Sequence, residues 1–160
     1  MIIRTAALDD LDAIAHVEAE CFPPAEAATR ETFAGRLEHY AGHFWLMFDG
    51  EMLVSFVDGM CTDERDLTDG MYSRPEMHKE GGQWQMIFGV NTVPDYRGRG
   101  LAGELIRRAV QDSREHGRKG LVLTCKEELI RWYSGFGFVS EGVSQSVHGG
   151  AVWYQMRLEF

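Results

Sequence analysis

Val90-Asn91-Thr92-Val93-Pro94-Asp95-Tyr96-Arg97-Gly98-Arg99-Gly100-Leu101-Ala102 runs from a strand through a proline and a glycine-rich turn into an amphipathic helix. Glycines at such a turn let backbone N–H groups converge on a phosphate at the positive end of the helix. Arg97 and Arg99 add cationic groups suited to a pyrophosphate or a 3′-phosphate. Gly98-x-Gly100-x-x-Gly103 matches a dinucleotide fingerprint on paper, but four residues including Pro94 separate the strand from the first glycine. Too little chain follows to complete a doubly wound sheet. A Walker loop ends in Gly-Lys-Ser/Thr, whereas this turn continues Gly103-Glu104-Leu105. An ordinary strand-to-helix turn accounts for one glycine, not for three with two flanking arginines. The segment is read as an anion-binding turn.

Working outward, Gln85–Val93 has strand character before the turn, with Met86, Phe88, Val90 and Thr92 on one face. After it a helix is expected from about Gly100 to His116, its stripe of Leu101, Ala102, Leu105, Ile106, Ala109 and Val110 stopped by Gly117. Gly120–Cys125 is a near-continuous apolar strand, as expected when both faces are covered. A short helix over Glu127–Ser134 and strands over Phe138–Ser144 and Ala151–Leu158 complete the C-terminal half. On the N-terminal side, Met1–Thr5 reads as a strand, and Asp9 caps a helix to about Glu20. Phe22-Pro23-Pro24 breaks that helix, and Thr29 caps a second one to about His39. His43–Phe48 and Glu51–Val57 form a hairpin around Asp49-Gly50. Asp58–Trp84, rich in Gly and acids, reads as a long loop. It is either a solvated insertion or a functional cover that mixes acids with Met60, Met71, Tyr72 and Met77.

The resulting order, β-α-α-β-β-β-α-β-α-β-β, is that of a mixed α/β (α+β) layer protein. A chain of 160 residues fits one domain, expected over 1–160 with the 58–84 insertion. Apolar content of 44% and charged content of 26% are those of a soluble globular protein. No segment approaches the ~20 apolar residues of a membrane span, and acids interrupt the N-terminal stretch, so a cytoplasmic protein is expected. Cys21, Cys61 and Cys125 are scattered without a CxxC pair, giving neither a disulfide framework nor a zinc site. His39 and His43 are interrupted by Gly42, which argues against a metal pair, and no metal is expected. A net charge of −9 argues against a nucleic-acid partner.

Arg97-x-x-Gly100-x-Ala102 after Val93-Pro94 resembles the pyrophosphate-binding signature of the GNAT superfamily of N-acetyltransferases, and the element order is similar over nearly the whole chain. A second match is Cys125-Lys126-Glu127-Glu128-Leu129-Ile130-Arg131-Trp132-Tyr133-Ser134-Gly135-Phe136-Gly137-Phe138. It resembles the segment in which a tyrosine precedes a Gly-Phe pair opening the next strand, and is closest to the arylalkylamine N-acetyltransferase branch. The resemblance implies a mainly antiparallel sheet flanked by helices, with acetyl-CoA as cosubstrate. Pantetheine is then held by backbone groups of Val90, Thr92 and Val93, with an N–H near Val90 as oxyanion donor. Arg97, Gly98, Arg99, Gly100, Leu101 and Ala102 take the pyrophosphate. Tyr133 matches the general-acid position; its phenol, with a reference pKa of about 10, can protonate a thiolate of about 8.5. The alternative for Tyr133 is packing alone.

The arylalkylamine branch also carries a histidine pair on the strand before the turn. Met86 and Phe88 stand there, and neither takes a proton. The remaining candidates for a base are Glu26, His78 and His148, with Glu26 leading because the segment joining the first two helices borders the acceptor site in this fold. The function expected is direct transfer of acetyl from acetyl-CoA to a small primary amine in a ternary complex. A peptide or protein amine as acceptor and a non-catalytic acyl-CoA sensor remain as alternatives, and a homodimer stays open.

Overall fold

A computed structural model describes residues 1–160. Along the chain come β1 (Ile2–Thr5), α1 (Leu11–Cys21), α2 (Arg30–Tyr40), β2 (Phe44–Asp49), β3 (Met52–Asp58), β4 (Cys61–Thr62), α3 (Asp69–Ser73), β5 (Trp84–Ile87), β6 (Gly89–Thr92), α4 (Leu101–Glu115), β7 (Gly120–Cys125), α5 (Ile130–Ser134), β8 (Val139–Val143) and β9 (Tyr154–Glu159). The residues gather into two compact units. Unit 1 is Met1–Gly59 with Gly89–Ala109; unit 2 is Met60–Phe88 with Val110–Phe160.

Unit 1 holds a four-stranded antiparallel sheet in the order β1-β2-β3-β6. The helix α1 packs on α2, β3 and β6 through a face that buries Ile14, Val17 and Glu18. Its entry is fixed by Asp10 rather than by the expected cap Asp9. The Asp10 carboxylate accepts the Ala7 N–H at 2.8 Å and both terminal nitrogens of Arg4 at 2.8 Å. Thr29 caps α2 as expected, its hydroxyl accepting the Thr32 N–H at 3.2 Å. Phe33 of α2 meets Phe44 and Phe56 edge-on, with ring centroids 6.2 and 5.9 Å apart. Truncating such a fully buried phenylalanine typically costs about 3–5 kcal/mol.

Unit 2 holds a five-stranded sheet in the order β4-β5-β7-β9-β8. Only β5 and β7 run parallel, and the connection between them carries β6 and α4, as a parallel pair requires a crossover. β7 is buried at Leu121, Val122 and Leu123, in keeping with its unbroken apolar run. The helix α4 begins in unit 1 and ends in unit 2, burying Leu101, Leu105, Ile106 and Ala109.

Two further expectations are corrected. Asp58–Trp84 is not a structureless loop: it contains β4, paired with β5 through Cys61↔Gln85 and Thr62↔Trp84, and the helix α3. Its apolar residues are scattered among acids and show no period, yet Met60, Cys61 and Met71 are fully buried. Partners far along the chain satisfy its backbone. Lys79 N–H donates to the Cys61 carbonyl at 2.8 Å, and the Arg118 guanidinium donates to the Gly82 carbonyl at 2.6 Å. The expected strand Gln85–Val93 is two strands. Ile87 pairs with Leu123 of β7, and Gly89 pairs with Asp58 of β3, so the extended chain changes partner at Phe88.

Candidate active site

The glycine turn lies in unit 1 and grows from β6, the terminal strand of its sheet. Val93 donates its N–H to the Val54 carbonyl at 2.9 Å and so faces β3. Antiparallel alternation then directs the N–H and C=O of Val90 and Thr92 away from β3. Of the three residues expected to offer backbone to pantetheine, Val90 and Thr92 turn those groups outward from β3, whereas the Val93 N–H is spent on it. The Thr92 carbonyl already accepts Arg97 Nε at 3.0 Å and Cys21 Sγ–H at 3.3 Å.

The turn is braced from within. Tyr96 donates its hydroxyl to Asp49 at 2.6 Å, tying the turn to the end of β2. Arg99 lies over the Tyr96 ring, 4.6 Å from its centroid, and donates to the Asp95 carbonyl at 3.1 Å. Both arginines are therefore folded back on the turn's own backbone, with the guanidinium groups exposed. Gly98 and Gly100 each adopt φ +77°, and a Cβ built on either meets nothing within 4 Å. The Gly100 carbonyl accepts the Glu104 N–H at 3.1 Å, opening α4. The first N–H groups of this helix have no intrahelical acceptor and point out of its end. The open space over two left-handed glycines, a helix N-terminus and two held arginines fit a pyrophosphate.

Tyr133 lies in unit 2, on α5, and is 5% exposed. Trp132 and Phe138 meet its ring edge-on at 4.9 and 6.0 Å. Burial, with Cys125 and Tyr72 nearby, holds its phenol well above the ordinary value of 10, so it stays protonated at neutral pH. Cys125 packs at the end of β7 beside Met156 as expected, its thiol pushed by burial up to about 11. An aromatic array adjoins these residues within unit 2. Tyr72 stacks on His148 at 5.3 Å, lies tilted against Phe88 at 4.7 Å, and shares a hydrogen bond of 3.0 Å with the Thr124 hydroxyl. Asp69, at the start of α3, accepts Ser146 Oγ–H at 2.5 Å and the Val147 N–H at 3.0 Å.

The three residues considered as bases fall in different places. Glu26 stands half-buried in the turn after Pro23, its N–H donating to the Pro23 carbonyl at 2.9 Å. His78 accepts the Cys61 N–H on Nδ1 at 3.0 Å and meets Glu80 on Nε2 at 3.0 Å, a structural brace in unit 2. His148 belongs to the aromatic array.

Sequence reasoning missed a buried polar cluster in unit 1. Arg36 of α2 and Asp58 of β3 form an ion pair of 2.9 Å with both side chains almost fully buried. Glu18 of α1 is 5% exposed, and its Oε2 accepts the Ala28 N–H at 2.9 Å. Burial pushes its carboxyl up to about 7; nearby Asp58 adds to this, against the Ala28 N–H and the Arg36 cation. The signal was present in the spacing, since Glu18 follows Ile14 by one helical turn on the face that is otherwise apolar.

The family model described as the acetyltransferase (GNAT) family matches residues 11–138. The chain belongs to that family. Among curated relatives, the probable glucosamine 6-phosphate N-acetyltransferase 2 of Oryza sativa subsp. japonica is 28% identical over 101 residues, covering 62% of this chain and 61% of the relative. The match thus spans about three fifths of that relative's length. Among solved structures, the GphF GNAT-like decarboxylase, in complex with isobutyryl-CoA, has a TM-score of 0.85 at 16% identity, covering 99% of each chain. The ribosomal-protein-S18-alanine N-acetyltransferase of Escherichia coli has a TM-score of 0.75 at 18% identity, covering 99% of this chain and 92% of its own. At these identities the likeness establishes the fold, and it is the mixed, mainly antiparallel GNAT fold expected from the sequence. No helix is long and apolar enough to cross a membrane.

Proposed function

We propose that this chain transfers an acetyl group from acetyl-CoA to a small primary amine, by direct attack in a ternary complex. The observation that carries this reading is the turn from Arg97 to Ala102. Its two left-handed glycines leave open space before the N-terminus of a fifteen-residue helix, beside an edge strand whose Val90 and Thr92 backbone groups point away from β3. Acetyl-CoA supplies an acyl thioester, and the residues of the chain do the rest. The N–H groups of Leu101 and Ala102, with Arg97 and Arg99, hold the pyrophosphate. Val90 N–H receives the charge that develops on the thioester oxygen. Tyr133, by the resemblance of its segment, protonates the departing sulfur, and its raised pKa keeps that proton available at neutral pH.

Membership of the acetyltransferase family supports the reaction class. The rice relative's name supports a small phosphorylated amino sugar as one candidate acceptor. The test is a thiol-release screen with acetyl-CoA against D-glucosamine 6-phosphate, tryptamine, spermidine, free amino acids and a peptide with an N-terminal alanine. Turnover with a small amine supports the reading. Turnover with the peptide alone moves the acceptor class to proteins, and no turnover with any of them removes the reading.

A further inference from the structure

The helix α1 carries a carboxylate where its spacing calls for an apolar residue. Glu18 lies against β3 and β6 and is 5% exposed. A buried carboxylate of purely structural use is normally bonded through both oxygens, because an orphaned one keeps its full desolvation cost. Here Oε2 accepts the Ala28 N–H, whereas the buried Oε1 makes no close hydrogen bond and has only the Asn91 side chain near it to favour its charge. Asp58 Oδ1 and the side-chain polar atoms of Asn91 lie beside it, buried and without close hydrogen bonds, with the Gly89 N–H near enough to favour the Asp58 charge. They converge on Gly89. A Cβ there would stand 2.9 Å from Asp58 Oδ1, 3.2 Å from Asn91 Nδ2 and 3.7 Å from Glu18 Oε1. The cluster thus closes tightly around a residue without a side chain, one position before Val90 on the same strand.

Burial raises two carboxyls of the cluster, Asp58 and Glu18, and the Arg36 cation opposes the rise most directly at Asp58. Arg36 and Asp58 pair with each other at 2.9 Å. Tyr40 of α2 is held neutral by burial, and the half-buried Cys21 thiol, one turn further along α1, is raised by burial as well. Glu18 remains, with one oxygen committed and one not.

Resting on the acetyl-transfer reading above, we propose that Glu18 is the general base, taking the proton of the incoming amine on the uncommitted Oε1 beside Gly89. The amine arrives as an ammonium ion. Its first proton passes to the carboxylate, directly or across one water. The freed nitrogen lone pair attacks the thioester carbon, the C–N bond forms and the C–S bond breaks. The second amine proton neutralises the departing thiolate, and Glu18 returns its proton to solvent. One proton is released per amide formed. This assigns the role that the histidine pair fills in the arylalkylamine branch. The carboxyl's value of about 7 suits the task, since a base is most effective when its pKa lies near the working pH.

The test compares wild type, Glu18→Gln and Glu18→Asp across pH, using whichever amine of the screen gives the fastest thiol release. In the wild type kcat/KM rises with pH through a limb near 7. In Glu18→Gln it falls at least ~10-fold and that limb disappears, while acetyl-CoA affinity by calorimetry stays within about threefold. Glu18→Asp keeps the limb at a reduced rate, because it retains a carboxyl drawn back by one methylene. A purely structural role would not remove a pH limb from a variant that still binds acetyl-CoA. Wild-type rates and an unchanged limb in Glu18→Gln overturn the proposal and leave acetyl transfer standing. Should Glu18→Gln fail to fold, a Glu18→Asp rate within about twofold of wild type overturns it alone. A wild type inactive on every amine removes the acetyl-transfer reading, and the proposal with it.

Discussion

Glu18, proposed as the base, and Tyr133, proposed as the acid, are both raised by burial. The folded chain holds the Glu18 carboxyl at about 7, above its ordinary 4.5, so the native state binds that proton more tightly than the unfolded chain does. The stability this contributes is fully present below about 4.5 and is lost as pH rises through about 7, at most about 3 kcal/mol. Glu18→Gln does not titrate. Its melting temperature is therefore expected to gain on the wild type as pH goes from 5 to 8, and calorimetric scans at the two pH values check this. An equal difference at both would show that Glu18 titrates normally. Tyr133→Phe keeps the ring that Trp132 and Phe138 enclose and removes only the hydroxyl. Turnover is expected to fall at least ~10-fold with acetyl-CoA affinity within a few-fold. Full turnover would leave Tyr133 as packing.

At the scale of elements, the turn between β6 and α4 makes the sharpest prediction. Arg97→Ala with Arg99→Ala leaves every glycine in place and is expected to weaken acetyl-CoA by more than tenfold, about 1.4 kcal/mol or more. Gly100→Val is expected to abolish binding, because a side chain at φ +77° is strained and stands where the phosphate would lie. Calorimetric titration reads both, and unchanged affinity in both would remove the phosphate role. This element was legible in the chain because its signals are local: a proline, left-handed glycines and an apolar stripe within a few residues. The helices α1, α2 and α4 and the hairpin at Asp49-Gly50 were legible for the same reason. The segment 58–84 was not, since Cys61 and Thr62 form a strand only by pairing with Gln85 and Trp84. Nor was the break at Phe88, because alternation reports which side chains share a face and not which strand lies alongside. Glu18 did not stand out among the carboxylates because one in a loop, such as Glu26, is noticed more readily than one on an apolar helix face.

For the whole molecule, the family and the GNAT fold narrow the chemistry without naming the acceptor. The net charge of −9 is compatible with a cationic substrate, though it selects none. The same fold is shared by a protein described as a decarboxylase and by one described as an N-acetyltransferase, so the fold alone does not separate acyl transfer to an amine from chemistry on the acyl group. The separating measurement is the stoichiometry of products. Purified protein is incubated with acetyl-labelled acetyl-CoA and its best amine, and free thiol and labelled amide are counted by mass spectrometry. In parallel, malonyl-CoA without amine is followed for carbon dioxide. The account predicts one thiol per labelled amide, neither of them without amine, and no carbon dioxide. Thiol release without amine, or carbon dioxide from malonyl-CoA with no amide formed, would contradict it.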